Sequence, residues 1–321
     1  MKEIKIDRNE SEQRLDRFLK KYLANASQGF IYKMIRKKNI KVNGLKTTPE
    51  STIHEGDVIQ LYLSDETIDK FLAVKTPVKS RLTPDIIYED ENILLINKGI
   101  GILSHGAGEV YEDNIVDSMI NYLIQKGDYV PRIEKTFTPS ICNRLDRNTS
   151  GIIIGAKNYA SLKIINEAIK NCHIRKFYKT IVKGTVNKDF QAEAYLSKNE
   201  NKNMVKVTEE DTEDSKKIIT NIKVLSKSKG YSLLEIELIT GRTHQIRSHL
   251  SSLGYPVIGD RKYGNKEVNK IFLREYGLDN QWLHGYKLQF EGVSEPLDYL
   301  NGKIFIADIE RKYERIEENL F

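Results

Sequence analysis

The sequence predicts a fold of mixed strands and helices that is divided between two domains. The chain of 321 residues is longer than one average domain. Its apolar residues recur at helical spacing in some segments and alternate in others. A polar stretch that mixes charge, proline and serine separates the two expected domains. We therefore expect a small domain at residues 1–64, a linker at 65–85 and a larger domain at 86–321.

Composition limits the class of protein before any motif is considered. With 39% hydrophobic and 30% charged residues, the chain has the balance of a soluble globular protein. No apolar run is long enough to span a bilayer, and the charged N-terminus lacks the core of a signal peptide. We expect a cytoplasmic protein without a membrane partner. Its two cysteines, Cys142 and Cys172, are too few for a disulfide framework or a cysteine-rich metal site.

Positive charge is concentrated near the N-terminus. The formal net charge of +6 is modest, but residues 12–48 hold ten Lys or Arg against two acidic residues. That window carries +8, so the remainder of the chain is slightly acidic at −2. A local basic patch is typical of a nucleic-acid-binding module, although a solvated lysine-rich helix face is the ordinary alternative.

The expected N-terminal domain contains two helices followed by two short strands. Apolar residues recur at helical spacing from Leu15 to Leu23, and basic residues share the exposed side. A second helix is predicted over Ser27–Lys38, with the serine as its N-cap. Residues 40–44 read as a strand that ends in an Asn-Gly turn, and residues 54–63 as a turn and an alternating strand.

The larger domain alternates between strand and helix patterns. The predicted elements are two apolar strands joined by an acidic turn at 86–98, a helix at 114–125, a buried strand after Gly151, a helix at 158–171, a strand at 174–184, a loop-rich hairpin at 187–216 and a final core strand at 282–290. The charged residues from Glu310 onward receive no functional assignment.

The stretch Ile141–Gly151 is the strongest candidate for a catalytic site. It places one carboxylate, Asp146, between two arginines, Arg144 and Arg147, directly before an apolar run. Neighbouring guanidinium groups favour the ionised form of a carboxylate and also anchor phosphates. One short loop thus contains a reactive carboxylate and two arginines that can bind phosphates, which indicates chemistry on a nucleic acid.

A second motif lies about a hundred residues later, at 238–254, where a strand turns into a helix. Arg242 is at the turn, where the N-terminal amides of the helix add to anion binding, and Arg247 is within the first two helical turns. His244 and His249 are five residues apart and therefore point in different directions, unlike the i, i+4 pair of a zinc site. We predict no metal.

These two motifs closely resemble those of the RNA pseudouridine synthases of the Rlu family. Residues 144–147, with the Thr-Ser-Gly at 149–151, resemble the active-site motif of that family. Residues 241–247 resemble its Gly-Arg-x-His-Gln-Ile-Arg motif. Tyr178 matches the position of the family's active-site tyrosine, preceded two residues earlier by a basic residue, here Lys176.

The chain departs from the family pattern at two positions. Asn143 stands where the family usually has histidine, and Gly99 where it usually has proline after Asn-Lys. Lys98, at that strand end, has either a role in the active site or the ordinary role of a lysine facing water. Leu283, in the last core strand, would either help wall a uracil pocket or simply pack.

The N-terminal elements resemble an S4 domain, a small RNA-binding module. The resemblance covers about residues 12–64 and rests on two helices, the Asn43-Gly44 turn and the Gly56-Asp57 turn in that order. The residues that it implies for RNA binding are Arg14, Arg17, Lys33, Arg36, Lys37 and Lys38.

The resemblance implies an α+β fold: a small S4 domain followed by a catalytic domain built on a mixed, mainly antiparallel sheet. It implies three catalytic residues, Asp146, Tyr178 and Arg247. It implies further substrate-binding residues, namely Arg144, Arg147, Arg242, Gln245, Ile246, Lys98 and Leu283. We expect Arg247 to pair with the essential carboxylate, with Arg242 as the second choice.

The implied activity is isomerisation of specific uridines to pseudouridine, with large-subunit (23S) ribosomal RNA or a pre-ribosome as partner. No cofactor is expected, in line with the lack of a glycine-rich nucleotide-binding motif, and we expect a monomer. The essential carboxylate would act either as a nucleophile on the sugar or as a base that removes a ribose proton. The alternative is a non-catalytic RNA-binding or ribosome-assembly protein. A hydrolase is disfavoured because the motif offers no second carboxylate, and a methyltransferase because there is no glycine-rich cofactor loop.

Overall fold

The computed structural model describes residues 1–72, 80–106, 110–130, 136–199 and 204–321. In the N-terminal part the elements are β1 (Lys2–Lys5), β2 (Gln13–Arg14), α1 (Leu15–Tyr22), α2 (Gln28–Arg36), β3 (Ile40–Val42), β4 (Thr52–Ile53), β5 (Val58–Leu61) and α3 (Asp65–Phe71). Strands pair in the order β1-β5-β3, and β2 pairs with β4. The two predicted helices are confirmed, and the Ser27 hydroxyl accepts the hydrogen bond from Phe30 N that its N-cap role requires.

The interval predicted to be a linker begins instead with helix α3. The Ser64 hydroxyl caps this helix by accepting from Thr67 N, and Ile68 is buried in the same hydrophobic core as α1 and α2. Two apolar residues, Ile68 and Phe71, in a short and otherwise polar helix left too weak a periodicity to be recognised. Residues 73–79 of the predicted linker lie outside the described residues.

The elements that follow form one large sheet with helices on both faces. They are β6 (Ile86–Glu89), β7 (Ile93–Lys98), α4 (Ile115–Lys126), β8 (Ser140–Ile141), β9 (Ser150–Ala156), α5 (Tyr159–Lys170), β10 (Ile174–Lys183), β11 (Phe190–Asn199), β12 (Met204–Thr208), β13 (Ser215–Ser228), β14 (Tyr231–Leu238), α6 (Gln245–Ser252), α7 (Lys266–Tyr276), β15 (Leu283–Phe290), β16 (Ile304–Ile306) and α8 (Arg311–Leu320).

Among the described residues the sheet has eleven strands, in the order β12-β11-β13-β14-β10-β15-β9-β7-β6, with β16 beside β15 and β8 beside β9. Within this described part, every pair is antiparallel except the short parallel pair of β9 and β15. The predicted α+β class and its mixed, mainly antiparallel sheet are therefore confirmed.

Three parts of the larger domain differ from the prediction. Most of the stretch predicted as a loop-rich hairpin, 187–216, is strand, because β11, β12 and the start of β13 extend the sheet. Strand β15 is not the last one, since β16 follows it. Helix α8 was not predicted because charged residues dominate it, yet Tyr313 and Ile316 are fully buried and the tyrosine ring stacks on Trp282.

The two faces of the sheet carry different helices because neighbouring strand residues point to opposite sides. On one face, Tyr178 of β10 and Leu283 of β15 share a hydrophobic cluster with Ile246 of α6 and Met119 of α4. Helix α5 packs on the other face, as Ile165 does against Ile152. The first face thus brings Tyr178 and helix α6 together.

Gly151 marks the junction where the two halves of the sheet meet. Its φ of +125° is a backbone conformation that side chains rarely adopt, and a Cβ at this position would overlap the backbone of Gly285. The sequence predicted a tight turn before a buried strand, whereas Gly151 is already in β9. Two glycines here allow β9 and β15 to approach closely, which places the loop that precedes β9 beside the start of β15.

No helix in the described part of the chain combines the length and the apolar character that crossing a bilayer requires.

Candidate active site

Asp146 is in the loop between β8 and β9, and the backbone on both sides of it is fixed. Ser104 Oγ accepts from Leu145 N at 3.1 Å and donates to Leu145 O at 2.7 Å. On the other side, Arg147 O accepts from Gly101 N at 3.0 Å. These contacts hold the two neighbours of Asp146, so its carboxylate has a defined direction. The side chain of Asp146 is 26% exposed and therefore reaches solvent.

Lys98 also holds the loop that carries Asp146. Its side chain is fully buried, and its Nζ donates to the carbonyls of Gly99, Ile102 and Arg147, each at 2.9 Å. An ammonium has three N–H donors, and all three are used. Burial lowers the pKa of Lys98 to about 7, while the charge of Asp146 opposes that shift. The predictions of a substrate-binding lysine and of a lysine facing water are both wrong: Lys98 positions the catalytic loop.

Arg247 joins two carboxylates. Its Nη1 donates to Asp146 Oδ2 at 2.8 Å, while its Nε and Nη2 donate to the two oxygens of Asp260 at 2.6 and 2.9 Å. The Arg247 side chain is only 7% exposed, and that of Asp260 is fully buried. Burial opposes both charges, but the bidentate pair outweighs it, raising the pKa of Arg247 and lowering that of Asp260. The structure thus places Arg247, not Arg242, against Asp146.

Asp260 is a site residue that the sequence motifs do not identify. Its Oδ1 also accepts from the backbone amides of Lys262 and Tyr263, at 2.8 and 3.1 Å. The sequence signal for this site is a carboxylate two residues after the apolar run Pro256–Ile258, because an acid in a buried segment needs a partner.

Tyr263 and His244 complete the polar surroundings of Asp146. The Arg247 guanidinium lies 5.4 Å from the centre of the Tyr263 ring, and the Tyr263 hydroxyl lies 3.0 Å from His244 Nδ1. His244 Nε2 is 3.9 Å from Asp146 Oδ2. Burial lowers the pKa of His244, although the charge of Asp146 opposes the shift. A largely neutral imidazole therefore borders the carboxylate at pH 7, while His249 instead lies 3.0 Å from Thr220 Oγ1 in the core.

Tyr178 provides a buried aromatic ring near Asp146. Its side chain is buried, and burial together with the charge of Asp146 raises the pKa of its hydroxyl. Within the described part of the chain that hydroxyl makes no hydrogen bond. A Cβ on Gly285 would lie 3.0 Å from the Tyr178 ring, so glycine leaves room for the ring beside β15. Ile246 and Leu283 belong to the same hydrophobic cluster.

The predicted arginines have different surroundings. Arg144 and Arg242 are exposed, and neither forms an ion pair with any residue that the structure describes. Arg147 is exposed too, but its Nη2 lies 2.8 Å from Glu112 Oε2. Within the described residues, the guanidinium groups at positions 144 and 242 are therefore without counter-ions.

Two polar side chains that border the motifs serve the fold. Gln245 was predicted to bind substrate, but it is buried; its Oε1 accepts from Arg242 N at 3.1 Å and its Nε2 donates to Ile219 O at 3.1 Å. That prediction is wrong, because the amide fixes the turn before α6. Asn143 Nδ2 donates to Ile152 O, at 3.0 Å. Asparagine thus bonds the loop to β9 at the position where histidine is usual.

The basic residues of the N-terminal part are mostly open to solvent. The exposed ones among those predicted to bind RNA are Arg17, Lys33, Arg36, Lys37 and Lys38. Arg14 differs, because its guanidinium is bonded to Asp16 at 2.7 and 3.0 Å. This ion pair reduces the availability of Arg14 to a phosphate.

Comparison with known proteins agrees with this arrangement. The sequence profile described as RNA pseudouridylate synthase matches residues 92–252, and that of the S4 domain matches residues 13–59. A relative from Mycoplasma capricolum, named an uncharacterized RNA pseudouridine synthase, is 32% identical over 309 residues, which cover 94% of this chain and 96% of the relative. Ribosomal large subunit pseudouridine synthase C of Haemophilus influenzae is 30% identical, covering 91% of this chain and 87% of the relative.

A third relative and a solved structure are also similar to this chain. Ribosomal large subunit pseudouridine synthase D of Borreliella burgdorferi is 31% identical over 304 residues, which cover 91% of this chain and 86% of the relative. The solved structure of human RNA Pseudouridylate Synthase Domain Containing 4 shares the fold, with a TM-score of 0.57 at 21% identity over 73% of this chain and 92% of its own.

The fold and the site together define an RNA-modifying enzyme with an appended RNA-binding domain. The chain belongs to the RNA pseudouridylate synthase family, and its activity is the isomerisation of uridine to pseudouridine in RNA.

Replacing Lys98 with methionine tests its positioning role. We expect kcat to fall by about tenfold or more while RNA affinity changes little, because the Arg147 carbonyl loses its ammonium donor and Asp146 loses its defined direction. The wild-type rate should also decline as pH rises through about 7, since a neutral amine has two donors for three carbonyls. The Lys98→Met variant should lack that alkaline decline. Equal pH profiles for the two proteins would contradict the assignment.

Proposed function

We propose that the chain modifies large-subunit ribosomal RNA, with residues 1–64 as the RNA-docking module and residues 86–321 as the catalytic domain. The observation that carries the proposal is the contact of 2.8 Å between Asp146 and Arg247 at a site open to solvent. The names of relatives that align with 91% of this chain support the choice of RNA. We include in the proposal that the protein acts as a monomer in the cytoplasm.

The reaction rearranges bonds within one nucleotide. The bond from the ribose C1′ to N1 of uracil breaks, the base rotates, and C1′ joins C5, whose proton leaves as N1 gains one. Asp146 is the essential carboxylate: it either attacks C1′ as a nucleophile or removes a proton from the ribose. Both routes need an anion that points at the sugar, and Arg247 together with the fixed backbone of Leu145 and Arg147 supplies that direction.

The remaining groups hold the nucleotide. A uridine within a helix must leave its stack to reach Asp146, at a cost of about a few kcal/mol. Tyr178, with Ile246 and Leu283 in the same apolar cluster, offers a surface on which the extruded uracil stacks. The exposed guanidinium groups of Arg144 and Arg242 bind the flanking phosphates.

Mapping pseudouridines in ribosomal RNA tests the proposed substrate. In cells that lack the protein, we expect a small set of positions in the large-subunit RNA to lose pseudouridine, and wild-type protein to restore them. Protein with Asp146→Asn should fail to restore them at equal abundance. An unchanged large-subunit map, with losses in transfer RNA instead, would overturn the proposed substrate and leave the activity intact.

A further inference from the structure

A small cavity lies between the end of α5 and the loop that follows β14. Its volume is about 120 Å³, roughly four times the share that one water occupies in the liquid. Its lining includes Cys172, Lys176, Glu237 and Ile239. The space fits a small anion such as a phosphate group.

Lys176 is the unusual member of this lining. Its side chain is only 8% exposed, and its Nζ has neither a hydrogen bond nor an ion pair with any residue of the described chain. The other lysines of this region have partners: Lys98 donates to three carbonyls, and Lys179 lies 3.0 Å from Glu317. Burial lowers the pKa of Lys176. A buried ammonium without a partner destabilises the folded protein, so its presence calls for a ligand.

The nearby acid does not neutralise Lys176. Glu237 is bonded to Arg175 Nε at 2.6 Å and accepts from Asn221 Nδ2 at 3.0 Å. The cavity therefore retains one uncompensated positive charge on Lys176.

Lys176 is on the same strand as Tyr178 and lies near the turn before α6. Lys176 and Tyr178 are two residues apart on one face of β10, about 7 Å along the strand. A Cβ on Gly241 would lie 3.9 Å from Lys176 Nζ, and the exposed, unpaired Arg242 comes next in the chain. Two residues later, His244 borders Asp146. The two cations thus lie on segments that also carry Tyr178 and His244.

We propose that Lys176, together with Arg242, forms a subsite for a phosphodiester of the RNA strand that flanks the target uridine. This inference rests on the proposed function. The bound phosphate supplies the counter-charge that Lys176 lacks in the free protein, and it fixes the RNA strand next to the target uridine.

The Lys176→Met variant tests the subsite because it keeps the aliphatic volume and removes the charge. We expect its affinity for unmodified large-subunit RNA to fall about tenfold, with the loss in KM rather than in kcat. The slope of log K against log salt should become shallower by about 0.7–0.9, the contribution of one phosphate contact. The melting temperature should rise, because the variant no longer buries an unpaired charge. A structural lysine would instead give a lower melting temperature.

Two controls make the result specific. Lys176→Arg should recover most of the RNA affinity, and Lys179→Met, on the opposite face of β10, should leave affinity and salt slope unchanged. Inorganic phosphate alone should not raise the melting temperature of the wild type more than that of Lys176→Met; such a rise would assign the cavity to a free anion and overturn the RNA subsite. Unchanged RNA affinity in an active Lys176→Met protein would reject the subsite alone, whereas full activity of Asp146→Asn would reject the proposed mechanism.

Discussion

Replacing Asp146 with asparagine is expected to lower the rate of pseudouridine formation by about 10³-fold or more. The amide can neither attack the sugar nor accept its proton, so both candidate routes stop. The fold should be retained, because an asparagine oxygen still accepts from Arg247 Nη1 and because Asp260 keeps its bidentate pair with that arginine. Release of tritium from RNA labelled at C5 of uridine measures the turnover directly.

Glu112→Gln provides the matched control for Asp146→Asn. Glu112 is an exposed carboxylate that bonds Arg147, the immediate neighbour of Asp146, and it is not part of the proposed chemistry. Its neutralisation should leave tritium release close to the wild-type rate. Undiminished turnover in Asp146→Asn, with RNA binding and melting temperature equal to those of the wild type, would remove the carboxylate from the mechanism.

The site residues that could be predicted from the sequence are those that belong to short contiguous motifs. Asp146 stood out because its arginine neighbours are adjacent in sequence, and the motif at 241–247 singled out Arg247. Their contact crosses a hundred residues, yet it was predictable because both motifs carry complementary charges. Asp260 was missed because its role depends on the fold of the segment after α6, which has no helical or strand periodicity.

Lys98 shows a different limit of sequence-based prediction. Its position at a strand end fits an exposed lysine as well as a functional one; the lysine is buried, and its role is to hold the loop rather than to bind substrate. The carbonyls that receive its ammonium come from Gly99, Ile102 and Arg147, and the last of these is 49 residues away in the chain. Every residue has a backbone carbonyl, so no pattern of side chains in the sequence predicts where carbonyls will surround a buried lysine.

The same reasoning explains the elements that were missed. Strands β11 and β13 face water on one side, as Glu193 and Lys217 do. Their buried side includes the small residues Ala192, Ala194 and Thr220, which give a weaker apolar signal than leucine or valine. Helix α8 buries Tyr313, Ile316 and Leu320 at helical spacing. The charged residues between them make this apolar face hard to recognise in the sequence.

Arg247→Met should abolish detectable turnover and also destabilise the protein by about 3–5 kcal/mol, because the fully buried Asp260 would lose its counter-ion. The loss of stability distinguishes Arg247 from a residue that only contacts the substrate. Asp260→Asn alone should also destabilise the protein, since the Arg247 charge would lose its bidentate partner while remaining buried.

The double variant Arg247→Met/Asp260→Asn separates stability from catalysis. Removing both buried charges should recover much of the melting temperature lost in either single variant, because the asparagine oxygen still accepts from the amides of Lys262 and Tyr263. Turnover should not recover, since Asp146 would still lack its guanidinium. Melting temperatures and tritium release of the four proteins form a complete cycle. Additive losses of stability in the double variant would show that the pair is not coupled, and restored turnover would show that Asp146 works without Arg247.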